Sequence, residues 1–440
     1  MNIRFSADKG LGGVLIPPPD KSLTHRALML ASVSSENSEI YNPLETGDCI
    51  STKSCLESLG VRFLDEKSAL EKNSGKKYTV QGVGLHGFIE PKSILNAGNS
   101  GTTIRLLSGL IAGLPIYAVM SGDDSLCRRP MDRVVKPLNL MGGKIVGREN
   151  GKFAPLTFLP GDGLLNPLNY ELPVSSAQVK SSLLFAGLRS RGTMVITGKV
   201  HSRDHTERML KAFGLPIEAG EGIVKLEPVF ELPGFKFLVP GDISSAAFFI
   251  AGSLLSGREL TVKYCGINPT RTGFIRILKR MNADITIEET GIELGEPVGI
   301  IKVKPSSLTG TVINSVEVPD CIDEIPLIAA LALCAEGTTM VRGAEELKIK
   351  ETDRLHAISV LIESLGGTVE ILNDGFIIEG PQTLSSGTVK SMGDHRIAMS
   401  GAILSTCVKG GITVEGFDAA SISYPNFIEH FSTLGGSTDA

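Results

Sequence analysis

A lysine and an arginine follow a stiff proline triplet near the start of the chain. Residues 20–26 read DKSLTHR, and an apolar run begins at Leu23. Asp20 or Ser22 has the side chain of a helix N-cap, so the pattern predicts a helix that begins here. Unpaired backbone N–H groups and the helix dipole favour an anion at such an N-terminus. The segment suits a phosphate or carboxylate, although a capped surface helix also explains it when it is taken alone.

A glycine-rich segment, NAGNSGTTIR at residues 96–105, precedes another apolar helix. Its glycines bracket Asn99 and Ser100, and Thr102 follows, so that backbone N–H groups can surround an anion. The segment is not a Walker A loop, because no lysine follows the second glycine. A turn that only caps a helix is the alternative interpretation.

Hydroxyl groups stand at two further predicted helix starts. Residues 174–180 read VSSAQVK, and their two serines and glutamine can bind a phosphate and a sugar-like hydroxyl or simply cap the helix. Residues 241–246 read GDISSA, and there we favour the capping role.

Three arginine-containing segments are less easily explained as solvated surface. Pro130 is expected to start a helix beside two guanidinium groups. Lys350 and Arg354 are expected four residues apart on one face of a helix start, and Arg396 opens an apolar helix. Because the dipole disfavours cations at helix starts, their recurrence there favours an anionic ligand among them. The segments are RRP at 128–130, KIKETDRL at 348–355 and DHR at 394–396.

Two adjacent carboxylates, Asp323 and Glu324, precede an almost wholly apolar helix. Either side chain can cap that helix. Near lysines and arginines, however, a carboxylate can also act as a proton acceptor with a tuned pKa.

A helix end followed by glycine or asparagine and the start of a strand recurs six times. Apolar residues three or four apart mark each helix, and Gly or Asn supplies a left-handed C-cap. The spacing, about 68–84 residues, is too long for a solenoid and favours six mixed βα units, although such junctions are common in any α/β protein. Between them lie β-rich runs such as TMVIT at 193–197 and GFIIE at 375–379. The six junctions begin at Leu56, Leu138, Leu210, Leu278, Ile362 and Phe431.

Two extended segments divide these repeats into three and three. FLVPGD at 237–242 separates them, and residues 17–20 provide a matching crossing near the N-terminus. The first residues are then expected to join the C-terminal half. The predicted domains are residues 20–239 and, discontinuously, residues 1–19 with 240–440, as two lobes that hinge closed over a ligand.

Composition disfavours several classes of protein. A net charge of −5, no tryptophan and 5% aromatic residues argue against a nucleic-acid partner. The seven cysteines contain no C-x-x-C pair, which indicates reduced thiols and no zinc site. The N-terminus lacks the apolar run of a signal peptide, and the most apolar stretch, 325–335, is too short for a bilayer. We therefore expect a cytoplasmic protein with no membrane partner.

Taken in order along nearly the whole chain, the motifs resemble the 5-enolpyruvylshikimate-3-phosphate synthase family. The resemblance implies a mixed α/β (α+β) fold of two hinged lobes, each built from three βαβαββ units. It implies transfer of the enolpyruvyl group of phosphoenolpyruvate to the 5-hydroxyl of shikimate 3-phosphate, with release of phosphate, no metal or other cofactor, and a monomer. Each motif is weak alone, but the ordered set is highly specific: DKSLTHRAL, NAGNSGTTIRLL, RRPMDRV, SSAQVKSSLL, GDISSAAFF, PDCIDE, LKIKETDRL, GDHRIAMS and SYPNF.

The resemblance also implies roles for individual residues. Asp323 matches the residue that accepts the 5-hydroxyl proton, and Glu351 matches the acidic partner in proton transfer at C3. Lys21 matches a residue that contacts both substrates and takes part in the same proton transfer. His395 is implied to support the site by hydrogen bonding. The implied shikimate 3-phosphate site is Lys21, Ser22, Arg26, Ser175, Ser176, Gln178, Asp323 and Lys350. The implied phosphoenolpyruvate site is Lys21, Asn99, Gly101, Thr102, Arg129, Gln178, Arg354 and Arg396.

Three positions depart from patterns found in some family members. Ile422 stands where some have a lysine, Ala177 where others have a second serine, and Glu346 where some have asparagine. We expect these differences to affect affinity and inhibitor sensitivity more than the reaction.

Other functions fit the sequence less well. The enolpyruvyl transferase that acts on UDP-N-acetylglucosamine has a reactive cysteine where this chain has Asp124. An RNA phosphate cyclase built from related βα repeats is disfavoured by the acidic net charge and the few aromatic residues. A non-catalytic anion-binding module would not need Asp323 and Glu351 among its cations.

Overall fold

Four-stranded sheets of one repeated topology form the framework of the computed structural model, which describes residues 1–67 and 75–439. Within those residues there are six such sheets. In each, a parallel pair lies at one edge, and the second strand of that pair lies antiparallel to the next strand. Parallel neighbours need a crossover connection, and in four of the sheets a helix between the two strands supplies it. In the other two sheets the parallel partners are far apart in sequence.

Three of the sheets belong to a unit formed by Pro19–Pro240 with Ile292–Glu296, called here the 19–240 unit. Their strands, in spatial order, are Lys236–Leu238, Asn37–Tyr41, Lys76–Gln81 and Arg62–Lys67; Leu95–Asn96, Ala118–Ser121, Phe153–Phe158 and Ile145–Gly147; and Asn169–Leu172, Met194–Gly198, Ile223–Leu226 and Ile217–Gly220. The helices are Lys21–Ser32, Gly47–Ser58, Gly101–Ile111, Asp132–Leu140, Ala177–Gly187 and His205–Ala212, with shorter turns at Leu126–Arg128 and Arg148–Gly151.

The other three sheets belong to a unit formed by Met1–Pro18, Gly241–Gly291 and Pro297–Ala440, called here the 241–440 unit. Their strands are Asp284–Glu293, Glu296–Lys304, Leu260–Gly266 and Gly13–Leu15; Val312–Ile313, Gly337–Val341, Gly375–Gly380 and Glu370–Leu372; and Gly387–Lys390, Ile412–Glu415, Asn2–Ser6 and Ser437–Asp439. Of these strands, only the ends at residues 292–293 and 296 fall in the 19–240 unit. The helices are Ile243–Ser256, Gly273–Arg280, Val318–Cys321, Ile325–Ala332, Arg354–Glu363, His395–Leu404 and Phe427–Thr433, with 3₁₀ turns at Glu345–Ile349 and Phe417–Ile422.

The six predicted helix–strand junctions are confirmed by their backbone angles. The glycine or asparagine after each helix has a φ between 72° and 115°. Glycine adopts this left-handed backbone conformation readily, asparagine sometimes, and other residues rarely. These residues are Gly60, Gly142, Gly214, Asn282, Gly366 and Gly435. The β-rich runs at 193–197 and 375–379 fall in the strands Met194–Gly198 and Gly375–Gly380, as predicted.

Two predicted helix starts are wrong. Pro130 does not begin a helix, because the helix after it starts at Asp132. Lys350 and Arg354 do not share a helical face, because the helix begins at Arg354 and Lys350 follows a 3₁₀ turn. The Asp353 carboxylate accepts hydrogen bonds from the N–H groups of Leu355 and His356 and so fixes the N-terminus at that point.

Close helix packing in the 19–240 unit brings functional segments together. The helices Gly101–Ile111 and Ala177–Gly187 pack so tightly that a Cβ at Gly109 would lie 2.1 Å from the Ser182 carbonyl oxygen. Glycine is therefore required at that position. Among the described helices, none combines the length and hydropathy needed to cross a bilayer.

Candidate functional site

The helix Lys21–Ser32 carries the first cationic cluster. Asp20 caps it by accepting from the Leu23 N–H at 2.8 Å, which confirms one of the two predicted caps. The Lys21 ammonium donates to Oδ2 of Asp48 at 3.1 Å, and Asp48 lies in the first turn of the next helix. The lysine is thus held at the helix N-terminus, where an anion is favoured.

Arg26 lies buried where three helices of the 19–240 unit meet. Its Nε donates to Oγ1 of Thr206 at 2.8 Å, its NH1 to the Ser22 carbonyl at 2.9 Å and its NH2 to Oγ of Ser181 at 2.8 Å. These acceptors are neutral oxygens. Burial lowers the pKa of Arg26 to about 10, so the group stays charged at neutral pH.

Gln178 joins the segments that the sequence assigns to the two substrates. Its carbonyl oxygen accepts from NH1 of Arg105 at 2.6 Å, and its amide nitrogen donates to Oγ1 of Thr102 at 3.1 Å. The N-cap of its helix is Ser176, which accepts from the Val179 N–H and follows Ser175 directly. The amide orientation of Gln178 is therefore fixed by two side chains of the helix Gly101–Ile111.

The loop before that helix contacts Arg129. Asn99 accepts from NH2 of Arg129 and donates to Oδ2 of Asp123 at 2.7 Å. Arg129 also donates to Oγ of Ser125 at 3.2 Å. A Cβ at Gly101 would lie 3.1 Å from an Arg105 nitrogen and 3.5 Å from one of Arg129, so the bare Cα of Gly101 faces both guanidinium groups.

The second cluster lies in the 241–440 unit, around Arg354. This buried guanidinium donates to Asp394 at 2.8 Å, to Glu351 at 2.8 Å and to Asp323 at 3.3 Å. Burial acts to lower the pKa of Arg354, but the Asp394, Glu351 and Asp323 carboxylates outweigh it and raise that pKa above its ordinary value. The arginine therefore keeps its charge and binds Asp323 and Glu351, the two carboxylates expected from the sequence to transfer protons.

Lys350 and Arg396 complete this cluster. The Lys350 ammonium lies 3.9 Å from Oδ1 of Asp323, and NH2 of Arg396 lies 4.0 Å from Oδ2 of the same residue. NH1 of Arg396 lies 3.6 Å from Oε1 of buried Glu324. Glu324 occupies the N-cap position of the helix Ile325–Ala332 without a capping hydrogen bond, so the side chain faces the arginine instead.

His395 supports Arg396 through its ring. Nε2 of His395 accepts from Nε of Arg396 at 3.2 Å, which places the ring proton of a neutral imidazole on Nδ1. NH1 of Arg396 also donates to the Ser244 carbonyl at 3.4 Å. Ser244 belongs to the helix that Asp242 caps at 2.9 Å, which confirms the capping role expected of the GDISSA segment.

Three residues of these clusters are absent from the site that the sequence predicts. Asp48 pairs with Lys21, Arg105 orients Gln178, and Asp394 pairs with Arg354. A signal exists for each: Asp48 follows a glycine at a helix start, and the other two lie inside motifs already singled out. Their partners are distant in sequence, however, so only the fold identifies the contacts.

A family model and curated relatives that cover nearly the whole chain name the same enzyme. The family model of EPSP synthase (3-phosphoshikimate 1-carboxyvinyltransferase) matches residues 6–431. A 3-phosphoshikimate 1-carboxyvinyltransferase of Bacillus cytotoxicus is 44% identical over 434 residues, covering 98% of this chain and all of that protein. The protein of the same name from Shouchella clausii is 43% identical and covers 97% of each chain.

Solved structures show the same likeness. EPSP synthase from Acinetobacter baumannii has a TM-score of 0.87 and 37% identity, covering 100% of this chain and 99% of its own. The enolpyruvyl transferase NikO from Streptomyces tendae has a TM-score of 0.78 over 100% of this chain and 98% of its own, and its 16% identity shows a likeness of fold alone.

Proposed function

This chain belongs to the EPSP synthase family, and we propose that Asp323, Glu351 and Lys21 perform the proton transfers of the family's reaction. The reaction moves the enolpyruvyl group of phosphoenolpyruvate to the 5-hydroxyl of shikimate 3-phosphate and releases phosphate. It is a step of the shikimate pathway, which leads to the aromatic amino acids.

The position of Asp323 is the observation that carries the proposal. Its carboxylate lies 3.3 Å from Arg354, 3.9 Å from Lys350 and 4.0 Å from Arg396. Nearby cations favour the ionised carboxylate, the form that accepts a proton. The same cations suit substrates that bring phosphate and carboxylate groups with them.

The proposed steps balance as an addition followed by an elimination. Asp323 accepts the proton of the 5-hydroxyl of shikimate 3-phosphate. The hydroxyl oxygen bonds to C2 of phosphoenolpyruvate, and C3 gains a proton. Glu351 and Lys21 carry protons to and from C3. The C2–O bond to phosphate then breaks, phosphate leaves with the bonding pair, and loss of a C3 proton restores the double bond.

The remaining cations and polar groups are divided between the two substrates. Arg26, whose partners are neutral oxygens, and Lys350 are proposed to bind shikimate 3-phosphate. The other residues proposed for that substrate are Lys21, Ser22, Ser175, Ser176, Gln178 and Asp323. Phosphoenolpyruvate is proposed to contact Lys21, Asn99, Gly101, Thr102, Arg129, Gln178, Arg354 and Arg396. His395 is proposed to orient Arg396 through their hydrogen bond.

Phosphate release tests the reaction and its acceptor, and the Asp323→Asn variant in the Discussion tests the role of that residue. The purified protein is incubated with phosphoenolpyruvate and either shikimate 3-phosphate or UDP-N-acetylglucosamine, and phosphate is measured with a coupled assay. We expect release with shikimate 3-phosphate and none with the nucleotide sugar. Release with the nucleotide sugar alone would contradict the assignment of the acceptor.

Oligomeric state and location are also proposed. We propose a monomer, as the resemblance implies, and a cytoplasmic location, because the cysteine pattern is typical of a reducing compartment. Light scattering after gel filtration tests the first point, since a dimer would give twice the mass of one chain. Fractionation of the source cells tests the second.

A further inference from the structure

A buried row of hydrogen bonds connects the two substrate segments of the 19–240 unit. Nδ1 of His25 lies 2.7 Å from Oγ1 of Thr52, and that oxygen lies 2.7 Å from Oγ1 of Thr103. The Thr103 hydroxyl donates to Oγ of Ser100 at 2.7 Å. All four side chains are fully buried. These residues, His25, Thr52, Thr103 and Ser100, are called the relay below.

The relay has one favoured direction. Burial lowers the pKa of His25 to about 3, so the imidazole is neutral at physiological pH. Nε2 of His25 is buried without a hydrogen-bond partner. A bare ring nitrogen is tolerated better than a buried N–H without an acceptor, so the proton is assigned to Nδ1. His25 then donates to Thr52, Thr52 to Thr103, and Thr103 to Ser100.

Each end of the relay lies beside residues proposed to bind a substrate. Ser100 is the N-cap of the helix Gly101–Ile111 and accepts from the Thr103 N–H at 3.1 Å, between Asn99 and Gly101. His25 precedes Arg26 on the helix that also carries Lys21. The relay therefore fixes the phosphoenolpyruvate loop relative to the helix proposed to bind shikimate 3-phosphate.

The middle of the relay is tied to a third helix. Thr52 belongs to the helix Gly47–Ser58, whose first turn holds Asp48, the partner of Lys21. The Thr103 hydroxyl also lies 3.4 Å from the Asp48 carbonyl oxygen. The relay thus joins three helices through side chains that no proposed step of the reaction uses.

We propose that His25, Thr52 and Thr103 are positioning residues for the phosphoenolpyruvate loop at residues 99–102. The proposal rests on the proposed function and assigns these residues no contact with either substrate. Loss of one hydroxyl leaves the Ser100 cap with one donor fewer and lets the loop shift. Arg26 is held independently by Ser181 and Thr206, and Gln178 keeps its bond from Arg105, so we expect the binding of shikimate 3-phosphate to change little.

Removal of the Thr103 hydroxyl tests the proposal. Thr103→Val keeps the shape and breaks the relay, whereas Thr103→Ser keeps the hydroxyl. Thr103→Val removes the bond from Thr52 and the bond to Ser100, but only the second contacts the loop. We therefore expect the KM for phosphoenolpyruvate to rise about five- to tenfold, equivalent to one hydrogen bond of about 1–1.4 kcal/mol at the Ser100 cap. The kcat and the Kd for shikimate 3-phosphate, measured by calorimetry without the donor, stay within about twofold. Thr103→Ser restores the KM.

Thr339→Val is the matched control. Thr339 is also a fully buried threonine, but its hydroxyl has no hydrogen bond and it lies on a strand of the 241–440 unit. We expect its variant to keep the wild-type KM. Equal KM changes in the two valine variants, or a Thr103→Val variant that loses as much affinity for shikimate 3-phosphate as for the donor, would overturn the proposal.

Two further measurements keep the test decisive. If Thr103→Val does not fold, Thr52→Val breaks the relay one bond earlier and is held to the same expectations. A wild-type protein that releases no phosphate from the two substrates contradicts the proposed function. A wild-type protein that turns over normally, with no selective KM change in either variant, contradicts the relay alone.

Discussion

The guanidinium of Arg354 and the carboxylate of Asp394 form a buried two-point pair. Nε donates to Oδ2 at 2.8 Å, and NH2 donates to Oδ1 at 3.4 Å. Oδ1 also accepts from the backbone N–H of Arg396 at 2.8 Å, capping the helix that carries it. One carboxylate therefore fixes both arginines that the 241–440 unit is proposed to offer to phosphoenolpyruvate.

The first prediction concerns the charge of Asp394. Asp394→Asn keeps the shape and an acceptor for the cap but leaves Arg354 with one carboxylate fewer. We expect the free energy of unfolding to fall by about 3 kcal/mol, since removing one partner of a buried ion pair is costly. Urea denaturation measures it. Asp374→Asn, which breaks a surface pair with Arg342, is the control and should change little. Equal effects would contradict the prediction.

The second prediction concerns proton acceptance by Asp323. Asp323→Asn retains hydrogen bonding but removes the base, so turnover should fall by about two or more orders of magnitude. Binding of both substrates together should persist, because the surrounding cations are unchanged. Phosphate-release kinetics and calorimetry on the same preparation measure the two effects. Near-normal turnover in the purified variant would remove Asp323 from the mechanism.

Local chemistry explains which features were predictable from the sequence. The caps at Asp20 and Asp242 and the six left-handed helix ends depend on a few neighbouring residues, and all are found. The prediction that Lys350 and Arg354 share a helical face is wrong because several residues near this helix start can act as its N-cap. The sequence does not reveal that Asp353 is the one that accepts the free N–H groups.

Long-range contacts explain what was not predictable. Arg26 is held by Ser181 and Thr206, which lie 155 and 180 residues further along the chain. From the sequence His25 is an ordinary helix residue, and only the fold shows that it contacts Thr52, which in turn contacts Thr103. Such contacts depend on how the repeats pack, and that packing cannot be predicted from the local patterns of a single sequence.

The third prediction is a pH dependence of stability caused by His25. Burial is the largest cause of its lowered pKa of about 3; Lys21 and Arg26 lower it further, and Asp48 opposes them. Below pH 6.5 the unfolded chain binds a proton at His25 that the folded chain does not, so acid destabilises the fold. Between pH 7 and pH 5 this costs about 2 kcal/mol, at 1.36 kcal/mol per pH unit.

His25→Asn isolates that contribution because asparagine does not titrate. The difference in unfolding free energy between wild type and variant should shift by about 2 kcal/mol in favour of the variant from pH 7 to pH 5. Urea denaturation at several pH values measures it. His356→Asn, at an exposed position, is the control and should run parallel to wild type. If the unfolding free energy of His25→Asn changed with pH in the same way as that of the wild type does, His25 would also be protonated in the folded state.

The last prediction separates the two substrates with a pair of matched variants. Arg129 is assigned to phosphoenolpyruvate and Arg26 to shikimate 3-phosphate, and each guanidinium can bind an oxyanion through two parallel hydrogen bonds that lysine cannot reproduce. Arg129→Lys should raise the KM for phosphoenolpyruvate by a factor equivalent to roughly 1.5–3 kcal/mol, with little change in the calorimetric Kd for shikimate 3-phosphate. Arg26→Lys should weaken that Kd instead. If Arg129→Lys weakens shikimate 3-phosphate as much as the donor, its assignment to the donor is wrong.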